Sequence, residues 1–231
     1  MYKAIFLDID DTLLDYIPCC REAFDYAMEA LAAIGGLAPE RPYCPPDGLT
    51  QEDALFRLFF DISGRLFSEA KHGKYTIAEV MDLYPAEFCE KAGYPPEAVA
   101  PFTHSFREAW GNTHTLVPEA KETLDVLRAK GYRLYAASNS FGHLQRNRLE
   151  QAGILHYFED TFISMDIGYD KPDIRFYQEA LRRADLQPSQ VLMIGDSMTT
   201  DILGAQAAGI DARFFDRRNN TSLLELVKDL I

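Results

Sequence analysis

Residues 4–13 read Ala4-Ile5-Phe6-Leu7-Asp8-Ile9-Asp10-Asp11-Thr12-Leu13, a short apolar run that breaks off in a cluster of carboxylates. Four consecutive apolar residues have the length of a strand, and the lack of alternation suits a strand covered on both faces. The same form recurs along the chain. Residues 133–137 stop at Ser138-Asn139, 161–163 stop at Ser164, and 191–194 stop at Gly195-Asp196, while 211–215 give a weaker fifth run.

Helical segments lie between these runs. Residues 119–130 follow Pro118, place Leu124 and Leu127 on one face and end at Gly131. Residues 143–152 end at Gly153, 173–184 follow Pro172 and stack Phe176, Tyr177, Ala180 and Leu181, and 202–208 end at Gly209. Proline at the start and glycine just past the end is the asymmetry expected of helices. Strand and helix thus alternate from about residue 118, which predicts an α/β fold with a doubly wound parallel sheet. Residues 15–111 carry no strand signal. Amphipathic stretches recur there at 19–34, 50–70, 76–92 and 96–110, and a loop over 35–48 holds Pro39, Pro42, Pro45 and Pro46. The expected organisation is an α/β core from 1–14 and 112–231, with a helical domain from 15–111 inserted after the first strand.

The chain has 231 residues, enough for a core without staples. With 23 Lys and Arg against 36 Asp and Glu its formal charge is −13, which argues against nucleic-acid polymers and anionic membranes as partners. No apolar run approaches the roughly 20 residues of a membrane span. The stretch after Met1-Tyr2-Lys3 is too short for a signal-peptide core. Cys19, Cys20, Cys44 and Cys89 have neither metal-site nor disulfide-framework spacing. A cytoplasmic location is expected.

In open parallel sheets ligands collect at the carboxyl ends of the strands. Here those ends carry Asp8, Asp10 and Thr12, then Ser138 and Asn139, then Lys171, and then Asp196 with Asp201. Crowded carboxylates repel and raise one another's pKa. A divalent cation relieves that, and an oxygen-only donor set points to Mg²⁺. An isolated Asp-x-Asp is more often a turn, Ser-Asn a cap, and Lys-Pro a solvated loop before a helix. Four such features in order, each closing a strand, favour a site over coincidence.

In that order the motifs resemble those of the haloacid dehalogenase-like (HAD) hydrolases: Asp8-Ile9-Asp10-Asp11-Thr12-Leu13, Ser138-Asn139, Lys171-Pro172, and Gly195-Asp196-Ser197-Met198-Thr199-Thr200-Asp201. The resemblance implies a Rossmann-like core with the 15–111 segment as its cap. It implies Asp8 as the nucleophile that forms an aspartyl-phosphate and Asp10 as general acid and base. It implies Mg²⁺ held by the Asp8 side chain, the Asp10 carbonyl and Asp196, with Ser138, Asn139 and Lys171 on the phosphoryl oxygens. Asp201 would support the metal site or orient Lys171, and Thr12 would shape the loop. Phosphatases of the family keep a second aspartate two residues after the nucleophile and dehalogenases generally lack it, so Asp10 points to phosphate hydrolysis.

The stretch Ser138-Asn139-Ser140-Phe141 with Leu144-Gln145 and Arg148-Leu149-Glu150 resembles the noncanonical pyrimidine 5′-nucleotidases, although Ser140 stands where glycine is usual. The expected substrate is a small phosphorylated metabolite, first a nucleoside 5′-monophosphate, with phosphoglycolate or a sugar phosphate as alternatives. Selectivity would lie in the cap, where Arg57, Arg65, Lys71, His72, Lys74, His104, Arg107 and His114 are available, together with Phe56, Phe59, Phe60, Phe67 and Trp110. Each has a plainer reading as a solvated or core residue. A non-catalytic receiver-like phosphate-binding module is the alternative of another class. Such modules place the acidic pair on a different strand from the acceptor, whereas Asp8 and Asp10 share one strand end. A dinucleotide site would need Gly-x-Gly-x-x-Gly where this chain has carboxylates.

Overall fold

A computed structural model describes residues 2–46, 48–219 and 221–231. The elements run β1 (Ala4–Leu7), α1 (Tyr16–Ala33), α2 (Gln51–Lys71), α3 (Ile77–Lys91), α4 (Val99–Trp110), α5 (Ala120–Ala129), β2 (Arg133–Ser138), α6 (Gly142–Gln151), β3 (Asp160–Ile163), α7 (Ser164–Ile167), α8 (Ile174–Ala184), β4 (Val191–Gly195), α9 (Gly204–Ala207), β5 (Asp211–Phe214) and α10 (Leu223–Leu226). By compactness the chain divides into one unit of residues 1–19 and 114–231 and another of 20–113. The division falls inside α1, a few residues beyond the expected boundary at 14/15.

In the first unit five parallel strands take the order β3-β2-β1-β4-β5. Their apolar runs are explained by the two cores they serve. Ile5 and Leu7 of β1 pack with Leu124 and Leu127 of α5, Leu149 of α6 and Leu223 of α10 on one face. Ala4 and Phe6 point the other way, into Phe162, Phe176, Tyr177 and Ala180. Successive side chains alternate across a strand, so a strand with helices on both sides must be apolar throughout. Burying each of these large side chains contributes about 1.5–3 kcal/mol. β5 is one of the two edge strands and lies only partly buried, which is why its apolar run is the weakest, whereas β3 at the other edge is buried over Thr161–Ile163.

The sequence reading of one helix over 202–208 is corrected. The backbone makes a wide π-helical turn at Met198–Leu203 and only then enters the short α9. Ser197 caps this turn by accepting from Thr200 N, and the wider turn directs Asp201 inward. π-turns recur where a side chain must be re-aimed at a site.

The second unit is helical. Thr50 caps α2 by accepting from Asp53 N, and Thr76 with Glu79 forms a reciprocal capping box at α3. Its core is aromatic: the Phe59 ring lies 5.0–5.8 Å from those of Phe24, Tyr84, Phe88, Phe102 and Phe106. Trp110 stacks on Phe106, and Phe56 meets Phe24. The residues 71–74 form the turn that ends α2, with Gly73 at φ +78° and Lys74 paired to Glu69 at 2.9 Å. Arg65 pairs with Glu87, and Arg107 with Asp82. No helix among the described residues is long and apolar enough to cross a membrane.

Candidate active site

The loop after β1 is tight. Ile9 O accepts N–H bonds from Thr12, Leu13 and Leu14, Asp11 sits at φ +60°, and its N–H donates to Leu14 O. Asp8 N still donates to Ile194 O of β4, so the nucleophile candidate extends the sheet pairing. Asp10 lies two residues on and forms an isolated bridge with Leu14. Thr12 is fully buried beneath this loop.

Asp8 is buried beside Lys171, whose ammonium meets three acceptors: Asp8 Oδ1 at 2.7 Å, Ala137 O at 2.7 Å and Asp201 Oδ1 at 2.6 Å. Burial pushes the Asp8 carboxyl up, Lys171 opposes that, and the neighbouring Asp201 and Asp196 carboxylates add to the upward push. Burial also works against the Lys171 charge, but Asp201 and Asp8 outweigh it and hold its pKa above the ordinary lysine range. Asp201 uses its other oxygen to accept from Ser197 N at 3.0 Å. That close approach requires glycine at 195, because a Cβ there would lie 2.4 Å from Asp201 Oδ2.

Asn139 has both side-chain atoms engaged. Its Nδ2 donates to Lys171 O and its Oδ1 accepts from Lys171 N, each at 2.8 Å. This pins the loop after α7 to the end of β2 and sets where Lys171 emerges, so the side chain of Asn139 faces the backbone rather than outward. The Lys171–Pro172 peptide is cis.

Among the described residues Asp8, Asp196 and Asp201 form a group whose oxygens lie within 4.8 Å of one another, as a cation site requires. Three carboxylates, Asp8 and Asp201 buried and Asp196 partly exposed, with oxygen-only donors suit a hard divalent ion. The Asp10 side chain is turned instead toward α6. Arg148 Nη1 donates to Asp10 Oδ1 at 2.7 Å, and Gln145 Nε2 donates to Asp10 Oδ2 at 2.7 Å and to Ser138 Oγ at 3.0 Å. Arg148 Nη1 also reaches Gln145 Oε1 at 2.8 Å. In the sequence these two residues stand out only through the nucleotidase resemblance, because α6 is otherwise strongly polar and reads as a solvated surface. Their spacing of three, one helical turn on a shared face, is the signal that pairs them.

Comparison with known proteins agrees with this geometry. The haloacid dehalogenase-like hydrolase family model matches residues 2–209. A glyceraldehyde 3-phosphate phosphatase of Methanothermobacter thermautotrophicus is 31% identical over 99% of this chain and 90% of its own. The pyrimidine 5′-nucleotidase PynA of Streptococcus pneumoniae is 29% identical over 93% of this chain and 84% of its own. In fold, the magnesium-bound HAD-hydrolase YfnB of Bacillus subtilis superposes with a TM-score of 0.83 at 24% identity, over 99% of this chain and 98% of that one. The chain belongs to the haloacid dehalogenase-like hydrolases, as an enzyme of their phosphatase branch.

Proposed function

We propose that this enzyme hydrolyses a small phosphate monoester through an aspartyl-phosphate on Asp8, with a nucleoside 5′-monophosphate as its substrate. The observation that carries the reading is the second carboxylate, Asp10, held beside Asp8 by two donors from α6. A carbon–halogen bond needs no proton donor for its leaving group, whereas an alkoxide leaving from phosphorus does.

In the first step an Asp8 carboxylate oxygen forms a bond to phosphorus, the ester P–O bond breaks, and the leaving alkoxide takes a proton from Asp10. In the second, water attacks phosphorus, gives its proton to Asp10, and frees phosphate and the Asp8 carboxylate. Lys171 is a fixed positive charge behind Asp8, and Asp201 holds it there. Ser138 and the backbone around Asn139 would meet phosphoryl oxygens as these gain charge. Asp8 and Asp196, with the Asp10 carbonyl, would hold Mg²⁺, while Asp201 braces Lys171 and the Ser197 loop. When bound, the ion offsets repulsion between carboxylate and phosphate and polarises a phosphoryl oxygen.

The substrate class is supported by the Ser138-Asn139-Ser140-Phe141 stretch with Gln145 and Arg148 and by the likeness to PynA. The likeness to a glyceraldehyde 3-phosphate phosphatase makes a triose phosphate the comparison substrate. The test is phosphate release across nucleoside monophosphates, sugar phosphates and small phosphoacids, with Mg²⁺ and with EDTA. Release from nucleoside monophosphates that stops with EDTA and in Asp8→Asn is expected. Turnover by purified Asp8→Asn would sink the mechanism, and release only from triose or other sugar phosphates would overturn the substrate class alone.

A further inference from the structure

We infer that Gln145 and Arg148 form a positioning clamp that aims Asp10 at the leaving group and sets the donor direction of Ser138. The inference rests on the reading of Asp10 as the general acid. Among the described residues Arg148 is the largest fully buried side chain, and its ion-pair partner at 2.7 Å is Asp10. A buried guanidinium facing one carboxylate is costly to desolvate, and an apolar side chain of similar volume commonly serves stability as well or better. What the guanidinium supplies and an apolar group cannot is direction.

The hydrogen bonds leave no ambiguity of orientation. Arginine only donates, so the Gln145 atom facing Arg148 is the carbonyl oxygen, and the amide nitrogen faces Asp10 and Ser138. The two Nη1 protons of Arg148 serve Asp10 Oδ1 and Gln145 Oε1, while the two amide protons of Gln145 serve Asp10 Oδ2 and Ser138 Oγ. Each Asp10 oxygen thus accepts one bond from α6, which fixes the plane of the carboxyl group and directs its remaining lone pairs away from that helix. Because Ser138 Oγ accepts from Gln145, the serine proton is the one directed to a phosphoryl oxygen. One rigid pair therefore orients the acid and a phosphate donor together, and both residues ride on a single helical turn.

The consequence is selective for the leaving group. p-Nitrophenolate departs without help from a proton donor, whereas an alkoxide does not. The measurement is single-turnover release of the leaving group with enzyme in excess, so that only the first chemical step counts. For Asp10→Asn, a loss confined to alkyl phosphates is expected and checks the acid reading by itself. For Arg148→Met, release from an alkyl phosphate should fall about 10²-fold, with a much smaller loss on p-nitrophenyl phosphate and little change in KM. Arg148→Lys keeps the charge but not the two-pronged contact and should recover only part of the loss. In an Asp10→Asn background, Arg148→Met should cost little more, because the clamp acts through Asp10. Equal losses of Arg148→Met on both substrates, or full additivity with Asp10→Asn, would overturn the clamp while leaving Asp10 as the acid. An Asp10→Asn variant that slows both substrates alike removes the acid reading and the clamp with it. If circular dichroism shows Arg148→Met unfolded, Gln145→Met decides, since it leaves the Asp10–Arg148 pair intact. It should show a leaving-group-dependent loss on top of an even loss through Ser138, and a loss with no leaving-group dependence counts against the clamp.

Discussion

At the scale of single residues the site depends on matched charges in a dry setting. Lys171 directs its three protons at Asp8, Ala137 O and Asp201, so removing it leaves two buried carboxylates facing each other. Lys171→Met should cost about 3–5 kcal/mol in urea unfolding in the presence of EDTA, as loss of one partner of a buried pair does. It should also lower kcat by about 10²–10³-fold. Lys171 is the group that opposes the upward push on Asp8. Burial raises Asp8 even with the lysine present, and without the lysine that push is unopposed. The native state then holds the Asp8 proton more tightly than in the parent, and stability falls more steeply as pH rises. The deficit against the parent protein should therefore narrow from about pH 8 to about pH 5. A deficit that is flat across this range would show that removing the lysine does not raise Asp8 further.

At the scale of elements, β1, β2 and β4 end where a functional group stands, and the connection that follows is shaped by it. β4 ends in Gly195 because the π-turn brings Asp201 against it, leaving 2.4 Å where a Cβ would sit. The cost of filling that space falls on Asp201, whose carboxylate is held from both sides by Lys171 and Ser197 N. Gly195→Ala should lower stability by about 1–3 kcal/mol in thermal or urea unfolding, through overpacking. Displacing Asp201, and Lys171 with it, should also lower turnover of p-nitrophenyl phosphate by about 10²-fold. Unchanged turnover in a stable Gly195→Ala protein would mean that Asp201 can move without consequence for Lys171. α6 plays a comparable part on the other side of the site, where its polar face is buried against Asp10 and Ser138 rather than solvated.

At the scale of the whole molecule, a formal charge of −13 coexists with a site built for an anion. Asp8, Asp10, Asp196 and Asp201 set four negative charges against Lys171 and one Mg²⁺, a site balance of about −1. The structure adds the guanidinium of Arg148 beside Asp10, which brings that balance to neutrality with the ion bound. A small phosphate is thus accommodated locally while the acidic surplus opposes extended polyanions. The protein should pass through a heparin column at about 50 mM salt and be retained by an anion exchanger; retention on heparin would mean that the acidic residues cluster away from a basic face. The sequence alone determined the parallel sheet, the helical insert and the strand ends that carry Asp8, Asp10, Ser138 and Asp196, because local periodicity and turn residues express themselves within a few positions. It placed the β5 run weakly, since that strand is only partly buried and needs less apolar character. Only the tertiary structure decided that the Asn139 side chain ties down Lys171 rather than facing outward, that Asp201 arrives by a π-turn, and that Gln145 and Arg148 hold Asp10. Asp10 and Arg148 are 138 residues apart in the chain, and nothing local to either records the distance of 2.7 Å between them. The burial of a polar helix face is a property of what packs on it, and a sequence shows only that the face is polar.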